Sequence, residues 1–505
     1  MAKKKFLYPA DWVKMKPYNN VDEVDIYYTN IANRIYDELH DAHLDVLFAS
    51  EQNLRIAVMS IAGWFEDVIS QNHIWQTFTA KCREEYGKYL PFFDLDDTYY
   101  PDEINKEDVI FLLWHNLQTI LRTEKIVYPF SPVIKVTAES IYYMLEDEYE
   151  TAPENERLHE FIYGHREGET PVMHYISVAT WMHYMSFFNI ETYDEYQAGS
   201  ANMLANRPDW AENRQTLAWG LYISLVLNST RTPLSLTTPQ WLSLITQGTD
   251  DHKDWQDIEH RPISTYMVES VADGKVTLKD LVGTGNLTLS EDEMEFPLGK
   301  LNVGTQTVTC EFIKFAGRMY RLGNIAINEY NANLKEHIAM QKAETDSTNE
   351  RAIYKAFKKA TSGEYVEFFK TNEECEQFLI EKVGYDFAQG VKLPKVNRKG
   401  GIMLMASPKT GLTIQPGFLN CIKCDRNSFY DKEAAEKNAL PVIARANAIP
   451  YEIMCRMQDD GMWPDVMFSG CENADDGRRV ARENLQFIID YYYHSNRKMI
   501  EKLKF

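Results

Sequence analysis

The sequence predicts an α+β multidomain protein: a mainly α-helical N-terminal half, a small β-barrel-like middle domain and a mixed α/β C-terminal domain. Three observations carry this reading. The 505-residue chain is too long for one core, since domains usually run to ~100–200 residues. Up to about Ile245, apolar residues recur at spacings of three and four. Near Thr265 the pattern changes to alternation rich in β-branched residues, and from Glu364 onward both patterns mix. The expected units are residues 1–250 (helical), 262–328 (barrel-like), 329–362 (a helical connector) and 363–505 (mixed).

In the helical half, Leu54, Val58, Ile61, Phe65 and Val68 fall on one face of a helix over Gln52–Ser70. Asn105 followed by Glu107 and Asp108 reads as a helix start, because a capping side chain and acidic first-turn residues suit exposed amides. Further helices are expected over Thr137–Glu148, Val172–Phe188, Arg214–Asn228 and Pro239–Thr246, punctuated by prolines such as Pro132, Pro171 and Pro233. In the middle, the runs starting at Tyr266, Lys275 and Thr307 read as strands, with turns at Asp273-Gly274 and Gly283 to Gly285. Short strands packed this densely suit a closed or half-open barrel. Ile325–Ala360 reads as a polar helix. Behind it come strands Tyr365–Phe369 and Ile402–Ala406, and helices Glu373–Val383, Asp431–Ala439, Tyr451–Gln458 and Arg478–Ser495.

A formal net charge of −22 argues against general attraction to nucleic acid or anionic lipid. Seven cysteines in so long a chain favour reduced thiols over a disulfide framework. The basic start is broken at once by Pro9 and Asp11, unlike a signal peptide, and no apolar run is long enough for a membrane span. The expected location is the cytoplasm, with no membrane association.

The phosphate-loop, dinucleotide and nucleophile-elbow signatures are absent from the sequence, as is any motif for sequence-specific DNA binding. His159 and His165 are six apart, which takes the second off the face a zinc-binding helix would need. Carboxylate and imidazole candidates for chemistry are Glu66, Asp67, His40 and His115. Glu66 and Asp67 follow Trp64-Phe65 inside an apolar helix, and a buried acid must be paired or hydrogen-bonded. A structural partner such as Arg or Tyr is the first expectation and catalysis the second. Asp37-x-x-His40 has the spacing of a helix-bundle metal motif, although a solvated helix face explains the same letters. His115 sits in an apolar helix, where a lone histidine is usually structural. The acidic run Asp94 to Asp97 lacks a calcium-loop register.

Cys421, Cys424, Cys455 and Cys471 contain one Cys-x-x-Cys pair and form a candidate zinc set. Between Asp386 and Asp425 there is no acid, while Lys392, Lys395, Arg398, Lys399 and Lys409 lie inside. This basic window is the candidate binding surface for a protein or RNA partner, with internal pairing to the acidic front half as the alternative.

Two stretches carry a resemblance. The first comprises Trp64 to Ser70, Ile74 to Phe78, Tyr86 to Phe93 and Tyr99 to Asn105; the second comprises Asn427 to Glu436 with Pro450-Tyr451-Glu452. They resemble a Bacteroidetes family filed among domains of unknown function, number three-eight-four-three. That resemblance implies no activity, cofactor or catalytic residue. Separately, Val271, Gly274, Val276, Leu278, Asp280 and Leu281 are similar in pattern to a β module found beside SEC-C zinc motifs, whose cysteine tail this chain lacks. The function expected from the sequence is non-enzymatic: an intracellular protein- or ribonucleoprotein-interaction protein using the basic window. The alternative is a metal-assisted or carboxylate/His-based, hydrolase-like enzyme with its site in the helical domain. No cofactor is indicated.

Overall fold

The structure is a computed structural model that describes residues 6–95, 98–121, 126–164, 171–190, 214–231, 233–283, 285–345, 348–385, 393, 400–445, 448–468 and 470–493. The helical half comprises α1 (Glu23–Asp41), α2 (Glu51–Ile69), α3 (Ile74–Tyr86), α4 (Lys106–Leu121), α5 (Pro132–Tyr149), α6 (Glu156–Tyr163), α7 (Pro171–Met185), α8 (Arg214–Asn228), α9 (Thr238–Ile245) and α10 (Asp251–Asp257). Caps set several starts. Asp22 Oδ1 accepts from Asp25 N at 3.0 Å, Ser50 Oγ from Asn53 N at 3.1 Å, and Asn155 Oδ1 from Leu158 N at 3.0 Å. The expected face of α2 is buried except for the half-buried Val68, but so are Ile56, Ala57, Met59, Ala62 and Trp64. A helix buried all round is the central member of its bundle.

The middle strands are β1 (Glu259–Ala272), β2 (Lys275–Asp280), β3 (Asn286–Ser290), β4 (Gln306–Phe315) and β5 (Arg318–Glu329), in the antiparallel order β3-β2-β1-β4-β5. Asp273 (φ 53°) and Gly274 (φ 71°) are both left-handed, as a two-residue hairpin requires. A helical turn, Glu291–Met294, bridges the two edges: Met319 N donates to Glu293 Oε1 at 3.2 Å, and Arg321 Nε to Met294 O at 2.8 Å. The sheet is therefore half-open. Alternation sorts its residues: Val308, Cys310 and Phe312 face a small core of their own, while Ile313 and Phe315 face the helices. The polar helix expected from Ile325 begins later, because β5 runs to Glu329 before α11 (Ala332–Thr345) and α12 (Thr348–Ala360).

The rest holds β6 (Val366–Phe369), α13 (Asn372–Phe378), β7 (Ile402–Ser407), β8 (Gly411–Pro416), α14 (Lys432–Ile443), α15 (Tyr451–Asp459), α16 (Ala474–Glu483) and α17 (Leu485–Tyr492); the sheet order is β8-β7-β6. Strand β7 is buried on both faces. Met403 and Met405 enter the main core, and Ile402, Leu404 and Ala406 pack beneath α12 and α13. That main core starts at Trp12 and Tyr28, passes through Trp64, Trp75 and Trp114, and ends at Phe487 and Tyr491. The last helices thus close the same core as the first. Among the described residues no helix is long and apolar enough to cross a membrane.

Candidate functional site

Glu66 is 1% exposed and sits in a buried polar network. Lys16 Nζ pairs with its Oε2, and Asn155 Nδ2 donates to Oε1 at 2.8 Å. The same Asn155 amide lies 2.8 Å from the Tyr18 hydroxyl, which donates to Asp25 Oδ1 at 3.1 Å. Lys16 also lies over the Trp12 ring at 4.5 Å. The partner of the buried acid is therefore a lysine with an asparagine, where the sequence suggested Arg or Tyr. Both carboxylate oxygens of Glu66 are occupied.

Asp67 stands differently. Its oxygens accept from Ile74 N at 3.3 Å and Trp75 N at 2.9 Å, which caps α3 from the preceding helix. Burial pushes its carboxyl up to about 7, against the pull of those two amides. The connection between α2 and α3 turns through Gln71 (φ 51°) and His73 (φ 63°), both in the left-handed region that costs a side-chain-bearing residue energy. Between them, Asn72 is fully buried, and neither Oδ1 nor Nδ2 has a hydrogen-bond partner.

The other two candidates make their bonds elsewhere. His40 Nδ1 lies 2.8 Å from Asp45 Oδ2, and its ring stacks on Tyr36. His115 is buried: Nδ1 is 2.9 Å from the Tyr491 hydroxyl, Nε2 is 3.4 Å from Phe188 O, and burial pushes its pKa down to about 4. Neither bonds to Glu66 or Asp67.

The four C-terminal cysteines do not assemble. No group of three or more His, Cys, Asp or Glu in metal-holding arrangement exists among the described residues. Cys421 is buried, Cys471 Sγ lies 3.2 Å from Phe468 O, and burial pushes the Cys421, Cys455 and Cys471 thiols up to about 11. Of the basic window, Lys392, Lys395, Arg398 and Lys399 lie outside the described residues. Lys409 sits in the β7–β8 turn, where its backbone N donates to Ser407 Oγ at 3.2 Å.

What the sequence reading missed is a groove along α3. A cavity of about 320 Å³ at the helix start is walled by Asp67, Asp102, Glu103, His73 and Gln76. A second, of about 430 Å³, shares His73 and Gln76 and reaches Lys81 and Leu244. A third, of about 530 Å³, shares Lys81 and Leu244 and ends at Asn228 and His260. Shared walls make these one trough. Its long side is the helix face His73, Gln76, Thr77, Ala80, Lys81 and Glu84, whose spacing of three and four complements the buried Ile74, Trp75, Phe78 and Cys82. That apolar spacing was the available signal.

At the far end a partly buried triad ties helix to sheet. His260 Nε2 lies 2.5 Å from Glu311 Oε1, and Asn228 Nδ2 lies 2.7 Å from His260 Nδ1. The imidazole is fully shielded from solvent.

Comparison with known proteins places these features. No curated protein and no solved structure matches the chain. The family described as "Protein of unknown function (DUF3843)" matches residues 6–280 and 325–494, so the whole groove lies inside the first matched stretch while Glu311 lies between the two. With most of its length matched, the chain belongs to that DUF3843 family.

Proposed function

We propose that this is a cytoplasmic interaction protein whose α3 groove binds an extended segment of a partner polypeptide. The observation that carries the reading is the continuity of the three cavities along one helix face. Helix α3 has 13 residues, a length of roughly 20 Å at 1.5 Å per residue. An extended peptide covers that with about six residues. Side-chain amides and hydroxyls line the way (Gln76, Thr77, Gln240, Ser243, Gln247, Gln256), and an amide both donates and accepts, as a peptide backbone demands. Nucleic acid fits less well, because among the described residues Asp67, Glu84, Asp102, Glu103 and Glu259 outnumber Lys81 and no Arg lines the trough. Oligosaccharide fits less well too, since Trp75 and Trp255 are buried and offer no open ring face. The cytoplasmic part is supported by seven free cysteines.

The groove takes the place of the basic window as the favoured contact surface, because hydrogen-bonding side chains line it along one helix face. The test is selection from a displayed library of random linear peptides against the full chain and against Ala80→Trp. Ala80 is exposed at the middle of the groove, so tryptophan there fills the trough and spares the core. The expected result is a peptide family that binds the wild type and loses at least tenfold in affinity on the variant. Peptides that bind both proteins equally, or no enrichment, overturn the reading.

A further inference from the structure

Behind Asp67 lies a small, partly open cavity of about 20 Å³, walled by Lys16, Glu66, Asp67 and Asn72 together with apolar side chains. A space of that size holds one water-sized group. Asn72 lines it, and both its side-chain oxygen and its amide nitrogen are fully buried and unpartnered. An unpaired polar group in a protein interior costs about 1–3 kcal/mol, so such an arrangement waits for a guest. Asp67 is the wall between this cavity and the acidic 320 Å³ end of the groove, where Asp102 and Glu103 stand and no Lys or Arg is found among the described residues. Lys16, on the same cavity wall, is ion-paired with Glu66 and reaches Asp67 only through space, while the hydrogen bonds of Asp67 come from backbone amides.

We infer that this end of the groove is a subsite for a primary ammonium group of the bound chain, a lysine side chain or a free N-terminus. The ammonium head is about the size of a water molecule and carries only donors. Asn72 Oδ1 and the Asp67 carboxylate are the acceptors at hand, and Asp102 and Glu103 attract the cation to the mouth. A guanidinium is too broad for the cavity, and a quaternary ammonium is too large and has no N–H to give. The subsite therefore discriminates lysine from arginine. This inference rests on the groove reading for its context but predicts a binding event of its own.

The probe is n-butylammonium, compared with n-butylguanidinium and tetramethylammonium at equal ionic strength, each titrated into the full chain by ligand-observed NMR. Saturable binding of butylammonium is expected, with both other cations at least tenfold weaker. Asn72→Leu and Asp67→Asn should each weaken butylammonium at least tenfold. Asn72→Leu removes two unsatisfied atoms at nearly constant volume, so it should fold and be no less stable without ligand, while Asp67→Asn provides the second, independent variant. Equal binding to wild type and both variants, equal binding of the guanidinium, or an adventitious water that stays in the cavity at saturating butylammonium overturns the subsite. Ala80→Trp separates the two claims: it should abolish peptide binding and leave butylammonium binding in place. Peptides that bind the groove with no preference for lysine or a free N-terminus defeat the subsite and spare the groove. Acetylated lysine peptides and lysine-free peptides with a free N-terminus then tell which ammonium is taken.

Discussion

The Tyr491 hydroxyl lies 2.9 Å from His115 Nδ1 across 376 residues of chain, and it joins the last helix to the fourth inside the main core. Around it, Phe487 packs against Phe92, Phe111 and Trp114, and Tyr86 donates to Asp490 Oδ2 at 2.9 Å. With His115 Nε2 facing the Phe188 carbonyl, Nδ1 is the acceptor for the tyrosine proton. Tyr491→Phe should therefore cost about 1–3 kcal/mol, the penalty of an unmet buried acceptor, read from denaturant unfolding. Residues 1–362 expressed alone should aggregate, because they leave the Phe92, Phe111 and Trp114 faces uncovered. A well-folded, monomeric fragment would refute this shared core.

Lys16 and Glu66 form a buried ion pair, with side chains 4% and 1% exposed. Removing one member strands the other, so Lys16→Met should destabilise by about 3–5 kcal/mol. The double change Lys16→Met with Glu66→Gln should recover much of that loss, since no charge is then left unpaired while Asn155 keeps an acceptor. A double-mutant cycle checks the coupling. Additive losses would mean that the two charges do not depend on one another.

The pH dependence has two opposed parts. Burial pushes Asp108 from its ordinary 3.8 up to about 8 and Asp67 up to about 7. The folded state thus holds these protons more tightly than the unfolded chain, so their contribution to stability is fully present below 3.8, declines as pH rises above it, and is gone once pH has passed 7 and 8. His115 is pushed down from 6.5 to about 4, so its contribution is present above 6.5 and lost as pH falls through 4. Asp108→Asn, which still accepts the Tyr99 hydroxyl now 2.7 Å away, should flatten the fall in unfolding midpoint between about pH 4 and 8 and leave the His115-dependent loss at low pH as it is.

Glu311 anchors the sheet to α8. Replacing it by leucine strips His260 of its partner and should cost about 1–3 kcal/mol. Gly220→Ala should act on the same joint, because the added methyl would meet Glu311 Oε2 and Ile263 at 2.9 Å. Both variants should speed hydrogen exchange of the β1 and β4 amides while the α2 amides keep their protection. Unchanged exchange in β1 and β4 would show that the triad does not hold the joint.

Much of the local structure was legible. Spacing along Gln52–Ser70 anticipates α2 within a residue at each end, the Asn105 start anticipates α4, and Asp273-Gly274 marks its hairpin. Helix α3 was missed although Ile74, Trp75, Phe78 and Cys82 have helical spacing, because charged and polar residues dilute the rest of that segment. Strand β8 was missed because Thr413 and Gln415 interrupt its apolar run next to the buried β7.

The sequence by itself determined what depends on neighbours along the chain: periodicity, caps, turns, free thiols, and the rule that Glu66 and Asp67 must find partners inside an apolar helix. Tertiary structure alone decided who those partners are. Lys16 and Asn155 reach Glu66 across 50 and 89 residues, and Glu311 meets His260 across 51. It also decided that the final helices complete the front core, and that Asn72 is buried with nothing to bond. The reason is physical: hydrogen bonding and burial act between atoms a few ångströms apart in space, and packing brings together side chains whose positions in the chain carry no common pattern.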